Sequence, residues 1–305
     1  MRTRRLGSSE LDVTVVGLGC NNFGGRIDEE RSRAVIDAAL DAGVTFFDTA
    51  DVYGNRGGSE EIIGRALEGR RDQVVLATKF GHDLGDGEVA RGARPYIRKA
   101  VEASLRRLRT DWIDLYQYHR PDGVTPVEET LEALHELVQE GTVRAIGSSN
   151  FTAAMVEEAA EVAREQGLTP FVSEQSEYSW LRREVEDELL PACRRLGVGF
   201  IPYFPLASGL LTGKYRRGEE PPEGTRMHGR EIGDADLEQV ERLREHARSK
   251  GLDLRQLAIG GLAAVDGVAS VIAGATSPEQ VRANAAAGEW VPSEAELAEL
   301  RALLS

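Results

Sequence analysis

The 305-residue sequence predicts a (β/α)8 TIM barrel, an α/β fold, with an N-terminal β-hairpin and a C-terminal helix. Three observations point there. Short apolar runs alternate with longer amphipathic segments down the whole chain, which is the signature of a parallel sheet with helical crossovers. The runs number eight, enough to close a barrel. The rival, a doubly wound sheet, wants a GxGxxG turn after its first strand, and the turn here reads GLGCNNFGG, out of register.

The first fifteen residues hold two short runs about a Gly-Ser-Ser turn, a hairpin suited to plugging one barrel mouth. The expected strands are Val15–Gly19, Thr45–Asp48, Val74–Thr78, Ile113–Tyr118, Val143–Ser148, Phe171–Glu174, Gly199–Pro202 and Ser270–Ala273. Most lack clean alternation, as strands covered on both faces should. Between them Glu29–Ala42, Pro95–Leu108 and Pro126–Gln139 carry helical stripes, and Pro95 suits a first turn. Gly43, Gly141, Gly167 and Gly197 stand where helices stop. Pro205–Asp236 is a polar insertion long enough to be a functional lid. Ser293–Leu304 reads as a last helix, with Ser293 and Glu296 at capping-box spacing. No linker divides the chain, so residues 1–305 are expected to form a single domain.

The net charge of −14 repels phosphate backbones and anionic lipid, which argues against nucleic acid and membrane surfaces as partners. Two cysteines, Cys20 and Cys193, make no disulfide framework and no metal motif. The basic N-terminus is followed by no apolar stretch, and no run approaches a membrane span. A cytoplasmic protein is expected.

In such a barrel, chemistry gathers at the carboxyl ends of the strands. The second strand leads into DTADVYG (Asp48, Tyr53), the third ends in TKFG (Lys79) and the fourth in YQYHRPD (His119). The fifth ends in GSSNF, the sixth in SEQSEY, and the seventh runs into PYFPLASGLLTGKY. A free phenol titrates near pH ~10 and needs tuning to move protons at neutral pH. An ammonium such as Lys79 favours the phenolate, an aspartate such as Asp48 keeps the lysine charged, and a histidine such as His119 can hold a substrate oxygen. Taken singly, each has a bland reading as a helix cap, rim tyrosine or core histidine. A lysine directly after VVLAT is harder to dismiss, because a charge there needs a partner.

The segments FFDTADVYG, SEEIIGRAL, ATKFG, LRRLRTDWIDLYQYHRPD, VRAIGSSNF, EQSEYS, IPYFPLASGLLTGKY and VIAGATSPEQVRAN resemble, in order and spacing, those of the aldo-keto reductase superfamily, in the bacterial branch related to potassium-channel β subunits. The resemblance runs from about Arg4 to Asn284. It implies an oxidoreductase acting on a small carbonyl or alcohol substrate, with NADP(H) or NAD(H) bound in extended form. It implies Asp48, Tyr53, Lys79 and His119 as the catalytic group and Tyr53 as proton donor. The cofactor residues that it implies begin with Gly19, beside the nicotinamide, with Ser149, Asn150 and Gln175 at the carboxamide and Tyr203 stacked on the ring. Pro205, Leu206, Ser208, Gly209 and Lys214 fall at the pyrophosphate, and Gly274, Thr276, Gln280 and Asn284 at the adenosine.

The chain departs from that pattern in two places. None of Gly274, Thr276 and Gln280 is basic, where NADP-preferring relatives aim a lysine or arginine at the 2′-phosphate; Arg226 and Arg282 are the basic candidates to reach it. Cys20 and Asn21 stand where relatives often carry other residues. Asn22, Phe23, Phe80, Tyr118, Tyr178 and the polar loop Gly81–Ala93 are the expected substrate walls, suited to a sugar or small aldehyde. Two rival functions stand beside this reading. One is a cofactor-binding regulatory subunit with weak or no turnover; the other is a hydrolase pairing Glu174 with Asp48. Oligomeric state and reaction direction are not legible.

Overall fold

The computed structural model of the chain describes residues 1–216 and 218–304. Strands β1 (Thr3–Arg5) and β2 (Asp12–Thr14) pair antiparallel as a hairpin. Eight parallel strands follow: β3 (Val16–Gly19), β4 (Phe46–Asp48), β5 (Val75–Phe80), β6 (Ile113–Tyr118), β7 (Val143–Ser149), β8 (Ser173–Glu177), β9 (Gly199–Tyr203) and β10 (Val271–Gly274). They close in sequence order, β10 returning to β3.

Helices α1 (Glu29–Asp41), α2 (Tyr53–Ala66), α3 (Arg94–Leu108), α4 (Val127–Gln139), α5 (Ala153–Gln166) and α6 (Leu189–Leu196) alternate with the strands. Two helices, α7 (Asp234–Ser249) and α8 (Leu254–Ala263), separate β9 from β10. Then come α9 (Pro278–Ala287) and α10 (Glu294–Leu303). All eight expected strands are present. The largest offset is β8, which begins two residues later and runs to Glu177. Its polar end stays in the ladder because Ser176 and Glu177 pair with Pro202 and Tyr203 through the backbone, which an apolarity criterion does not see.

The expected helix signals act as read. Gly43, Gly141, Gly167 and Gly197 all have left-handed φ. Ser293 and Glu296 form the reciprocal capping box of α10. Gly7 shows why the hairpin needs its glycine. Its φ is +52°, and a Cβ there would lie 2.1 Å from Val172 O and 2.8 Å from Gly199 N. Only a bare backbone can press this closely on the starts of β8 and β9. The hairpin thereby drives Leu6 and Val13 into the barrel interior against Phe46, Ala77, Leu115, Ala145, Val172, Ile201 and Ile272. This plug closes the amino end with apolar packing and leaves the carboxyl end to carry polar groups. Among the described residues, no helix is long and apolar enough to cross a membrane.

Candidate active site

Strand periodicity builds the site. Side chains two residues apart share a face, so the inward face that carries Phe46, Ala77 and Leu115 next presents Asp48, Lys79 and Gln117 at the carboxyl end. The Lys79 ammonium is fully buried and donates to Asp48 Oδ2 at 2.6 Å and to Thr49 O at 3.0 Å. The other Asp48 oxygen accepts from Gln117 Nε2 at 3.1 Å and Gln175 Nε2 at 2.9 Å. Breaking one side of such a pair strands a buried charge, at a cost of about 3–5 kcal/mol. Burial alone would lower the Lys79 pKa; Asp48 and then Tyr53 outweigh it, and the pKa is raised, so the ammonium stays charged.

Tyr53 opens α2 directly after β4. The backbone beyond it is unusual: Gly54, Asn55 and Arg56 take left-handed angles in succession (φ 65°, 61° and 69°). Two non-glycine residues there cost of order 1–2 kcal/mol each. The turn is held at its base, where Ser59 Oγ donates to Cys20 O at 2.9 Å and lies 2.8 Å from Thr49 Oγ1. Lys79 Nζ lies 5.4 Å from the Tyr53 ring centroid, and the His119 ring meets Tyr53 edge-on at 5.8 Å. Burial raises the phenol's pKa and the Lys79 ammonium pulls it back, with Asp48 and Cys20 adding to the rise; the net direction is up. The lysine thus acts in the expected sense, but desolvation exceeds it. His119 is held well below the ordinary imidazole range by burial and then by Lys79, His82 and Arg120, so it is neutral at pH 7. Its Nδ1 is buried without a partner.

Above this floor opens a cavity of about 640 Å³. Asp48, Tyr53 and His119 line it, and Lys79 lies beneath. Every residue expected at the cofactor lines it as well: Gly19, Ser149, Asn150, Gln175, Tyr203, Pro205, Leu206, Ser208, Gly209, Lys214, Gly274, Thr276, Gln280 and Asn284. Asn150 does not cap α5. That position belongs to Thr152, whose side chain accepts from Met155 N. Asn150 instead has φ 60° and donates from Nδ2 to His119 O and Ser149 Oγ, both at 3.0 Å, while its Oδ1 accepts from the Tyr203 hydroxyl at 2.8 Å. Both amide hydrogens of Asn150 are therefore committed. The set fits a carboxamide best as a donor, received by Gln175 Oε1 and the second lone pair of Asn150 Oδ1.

Glu174 lies outside the cavity wall. It is fully buried, accepting from Ser148 Oγ, from Ser176 Oγ at 2.7 Å and from Phe151 N at 3.3 Å. Burial pushes its carboxyl up to about 7 against the pull of those bonds. With Asp48 ion-paired and Glu174 sequestered, the paired-carboxylate hydrolase loses its geometry.

Several expected substrate walls are elsewhere. Asn22 lines the cavity, but Phe23, Phe80, Tyr118 and Tyr178 are buried in the core outside it, and no residue of Gly81–Ala93 reaches its wall. Phe80 stacks between Tyr116 and Tyr118, at centroid distances of 4.8 and 5.1 Å. Tyr178 donates to Glu186 Oε1 at 2.6 Å. The walls around the mouth are instead Cys20, Asn21, Arg26, Arg120 and Phe204. From the insertion, Glu223, Gly224, Thr225 and Arg226 reach over the cavity, and Arg26 donates across it to Gly224 O at 3.1 Å. Arg226 lines the cavity as expected, Arg282 does not, and Arg255 of α8 lines it without having been expected.

An eight-stranded parallel barrel with a buried Lys–Asp pair, a tyrosine and a neutral histidine at its carboxyl end is the architecture of a barrel oxidoreductase. The chain belongs to the aldo/keto reductase family, whose model matches residues 15–305. It is 37% identical to a protein of Oryza sativa subsp. japonica described as a probable voltage-gated potassium channel subunit beta, across 96% of this chain and 92% of that one. Identity to an Arabidopsis thaliana protein of the same description is 36%, with the same coverage. It is 35% to the L-glyceraldehyde 3-phosphate reductase of Escherichia coli (strain K12), across 93% of this chain and 86% of the relative. Membership supports an oxidoreductase that uses a nicotinamide cofactor on small carbonyl compounds.

Proposed function

We propose that the chain, as one barrel domain in the cytoplasm, interconverts small polar carbonyl compounds and their alcohols with NADP(H) or NAD(H), and that Tyr53 moves the proton. The observation that carries this is the buried Lys79–Asp48 pair beneath Tyr53, at the floor of the cavity. A bound nicotinamide cofactor would supply the hydride in reduction or accept it in oxidation. Ser149, Asn150 and Gln175 would hold its carboxamide and Tyr203 its ring face. Pro205, Leu206, Ser208, Gly209 and Lys214 would line its pyrophosphate. In reduction the Tyr53 hydroxyl gives its proton to the carbonyl oxygen, and Lys79 stabilises the phenolate left behind. In oxidation the phenolate takes that proton back. Asp48 keeps Lys79 charged and fixed, and neutral His119 orients the substrate oxygen.

The polar mouth, with Asn21, Asn22, Arg26 and Arg120, favours a short polar aldehyde or sugar over a bulky apolar ketone. The name of the Escherichia coli relative, a reductase of a phosphorylated three-carbon aldehyde, leans the same way. The names of the two plant relatives favour one second reading, a cofactor-binding regulatory subunit with weak or no turnover.

A fluorescence titration with NADPH and NADH, followed by turnover on an aldehyde panel, tests both readings. Tight binding with turnover on polar aldehydes is expected. Tight binding by a tetramer that turns nothing over in either direction would favour the regulatory reading, and binding of neither nucleotide would end both. The pH profile adds a check with a definite sign. Reduction needs the protonated phenol, whose pKa is raised, so reductive kcat should hold through neutrality and fall only at strongly alkaline pH. Oxidation should rise with pH over the same range. With His119 depressed, no loss belongs between pH ~6 and ~7; a twofold fall of reductive kcat there would contradict its neutral state.

A further inference from the structure

We propose that Arg255, in the first turn of α8, receives the 2′-phosphate of a phosphorylated nicotinamide dinucleotide and so sets a preference for NADP(H) over NAD(H). This rests on the cofactor reading above.

The placement follows from topology. A helix that leads into a barrel strand runs antiparallel to it, so the first turn of α8 lies at the carboxyl-end mouth. α9 runs the same way, and the two helices press together. A Cβ at Gly260 would lie 2.7 Å from Ala287 O. Their first turns are therefore side by side, which brings Arg255 to the end of the cavity lined by Thr276 and Gln280. α8 also packs on the 207–212 turn, beside the proposed pyrophosphate segment.

The guanidinium there has no partner. Its Nε is buried and makes no hydrogen bond, and no carboxylate pairs with it among the described residues. The nearest acid in sequence, Asp253, is occupied: its Oδ1 accepts from Gln256 N at 2.8 Å, and Gln256 Oε1 accepts from Asp253 N at 2.9 Å. A buried, unbonded donor on a fixed cation is costly unless a ligand completes it. In a chain of net charge −14, a cation left unpaired on a cavity wall points to an anionic occupant.

Gln280 fits the same occupant. Its Oε1 is turned back onto Thr276 N and Oγ1, at 2.9 and 3.1 Å. The amide group that remains is a donor, suited to a phosphate oxygen and indifferent to a free ribose hydroxyl. The other cations are committed or displaced. Arg226 lies over the Phe204 ring at 5.3 Å and reaches Asn22 Oδ1 at 3.4 Å. Arg26 bonds Gly224 O, Arg120 adjoins His119 at the floor, and Lys214 lies over Tyr215. Arg255 thus supplies from α8 the charge that α9 lacks. Its planar fork suits a phosphate dianion better than an ammonium would.

The test is calorimetric titration of wild type, Arg255→Gln, Arg255→Lys and Arg226→Gln with NADPH, NADH, adenosine 2′,5′-bisphosphate and 5′-AMP. Wild type should bind the 2′-phosphorylated member of each pair more tightly. Arg255→Gln should weaken NADPH and the bisphosphate by roughly 30-fold, the worth of one charge-assisted contact, and leave NADH and 5′-AMP within twofold. Arg255→Lys should fall between. Unchanged NADPH affinity in Arg255→Gln, equal losses for both members of a pair, a wild type that prefers NADH, or loss of the preference in Arg226→Gln alone would each overturn the assignment. Wild type binding none of the four would instead overturn the cofactor reading on which it rests.

Discussion

Two layers of one barrel, a single side-chain step apart on the same strands, behave as different materials. In the lower layer Phe46, Ala77, Leu115 and Ala145 meet the hairpin's Leu6 and Val13 in a dry apolar plug. One step toward the carboxyl end, the same inward face carries Asp48, Lys79, Gln117 and Ser149, all buried and bonded to one another or to backbone. The lower layer can be built from side chains that need only volume. The upper layer must satisfy every polar group by geometry, and it can do so because the layer beneath is rigid. Stability and chemistry are thus stacked rather than mixed, and substitutions in the two layers should fail in different ways.

The largest effect is expected where the upper layer meets the cavity. Tyr53→Phe removes one hydroxyl and keeps the ring beside Lys79 and His119. Its kcat should fall about a thousandfold, within the usual range for a general acid, while cofactor affinity measured by fluorescence stays within a few-fold. Near-wild-type turnover would remove Tyr53 from the chemistry and erase the functional half of the contrast.

The lower layer should fail through the fold. Leu115 is fully buried in the plug, and Leu115→Ala should cost about 3 kcal/mol, since the barrel wall cannot collapse onto the space left. Urea unfolding measures this through its midpoint. The specific activity of the folded fraction, assayed well below that midpoint, should match wild type within a few-fold. A thousandfold loss of turnover at unchanged stability would show that the layers are not separable.

The same contrast explains what was legible in the sequence. Asp48, Lys79, His119 and Gln175 stood out because polar residues at the ends of apolar strands have few packing explanations, and closure of the barrel brings strand ends together whatever the loops do. The misplaced substrate walls carried their own warning. If Lys79 points inward, strand alternation turns Phe80 outward to the helices, and Gln117 does the same to Tyr118. Reading residues by adjacency in the chain instead of by strand parity put those rings in the wrong compartment. Arg255 had no such signal. It comes from the first turn of a helix in the doubled α7–α8 connection, and its approach to α9 depends on the packing of α8 on its neighbours. Likewise, Gly224–Arg226 reach the cavity through the path of an irregular insertion, which carries no period from which a position in space could be read.

The smallest expected effect probes how sharp the boundary between layers is, at Asp51. This residue lies behind the site rather than in the cavity. It is buried with Oδ1 unbonded, while nearby Glu60 is satisfied by Thr78 Oγ1 and Arg107 Nε, both at 2.6 Å. Burial, and then the charge of Glu60, push the Asp51 carboxyl up to about 8. The unfolded chain releases that proton near pH ~4, whereas the folded chain holds it to about 8, so this group disfavours folding increasingly as pH rises through that window, and by a constant amount above it. Asp51→Asn has no proton to lose. Its gain should be near zero at the acid end and complete above pH ~8, where about 1–2 kcal/mol is expected once the buried amide's own unmet bonds are deducted. Unfolding of both proteins by urea at pH ~5.5 and ~9 reads the difference. A variant destabilised equally at both pH values would mean that the carboxyl is a required bonding partner and that polar satisfaction extends behind the barrel wall. A gain confined to the alkaline measurement would make Asp51 a strained acid, tolerated within two residues of Tyr53, and would place the boundary of the well-satisfied layer at Asp48 and Lys79.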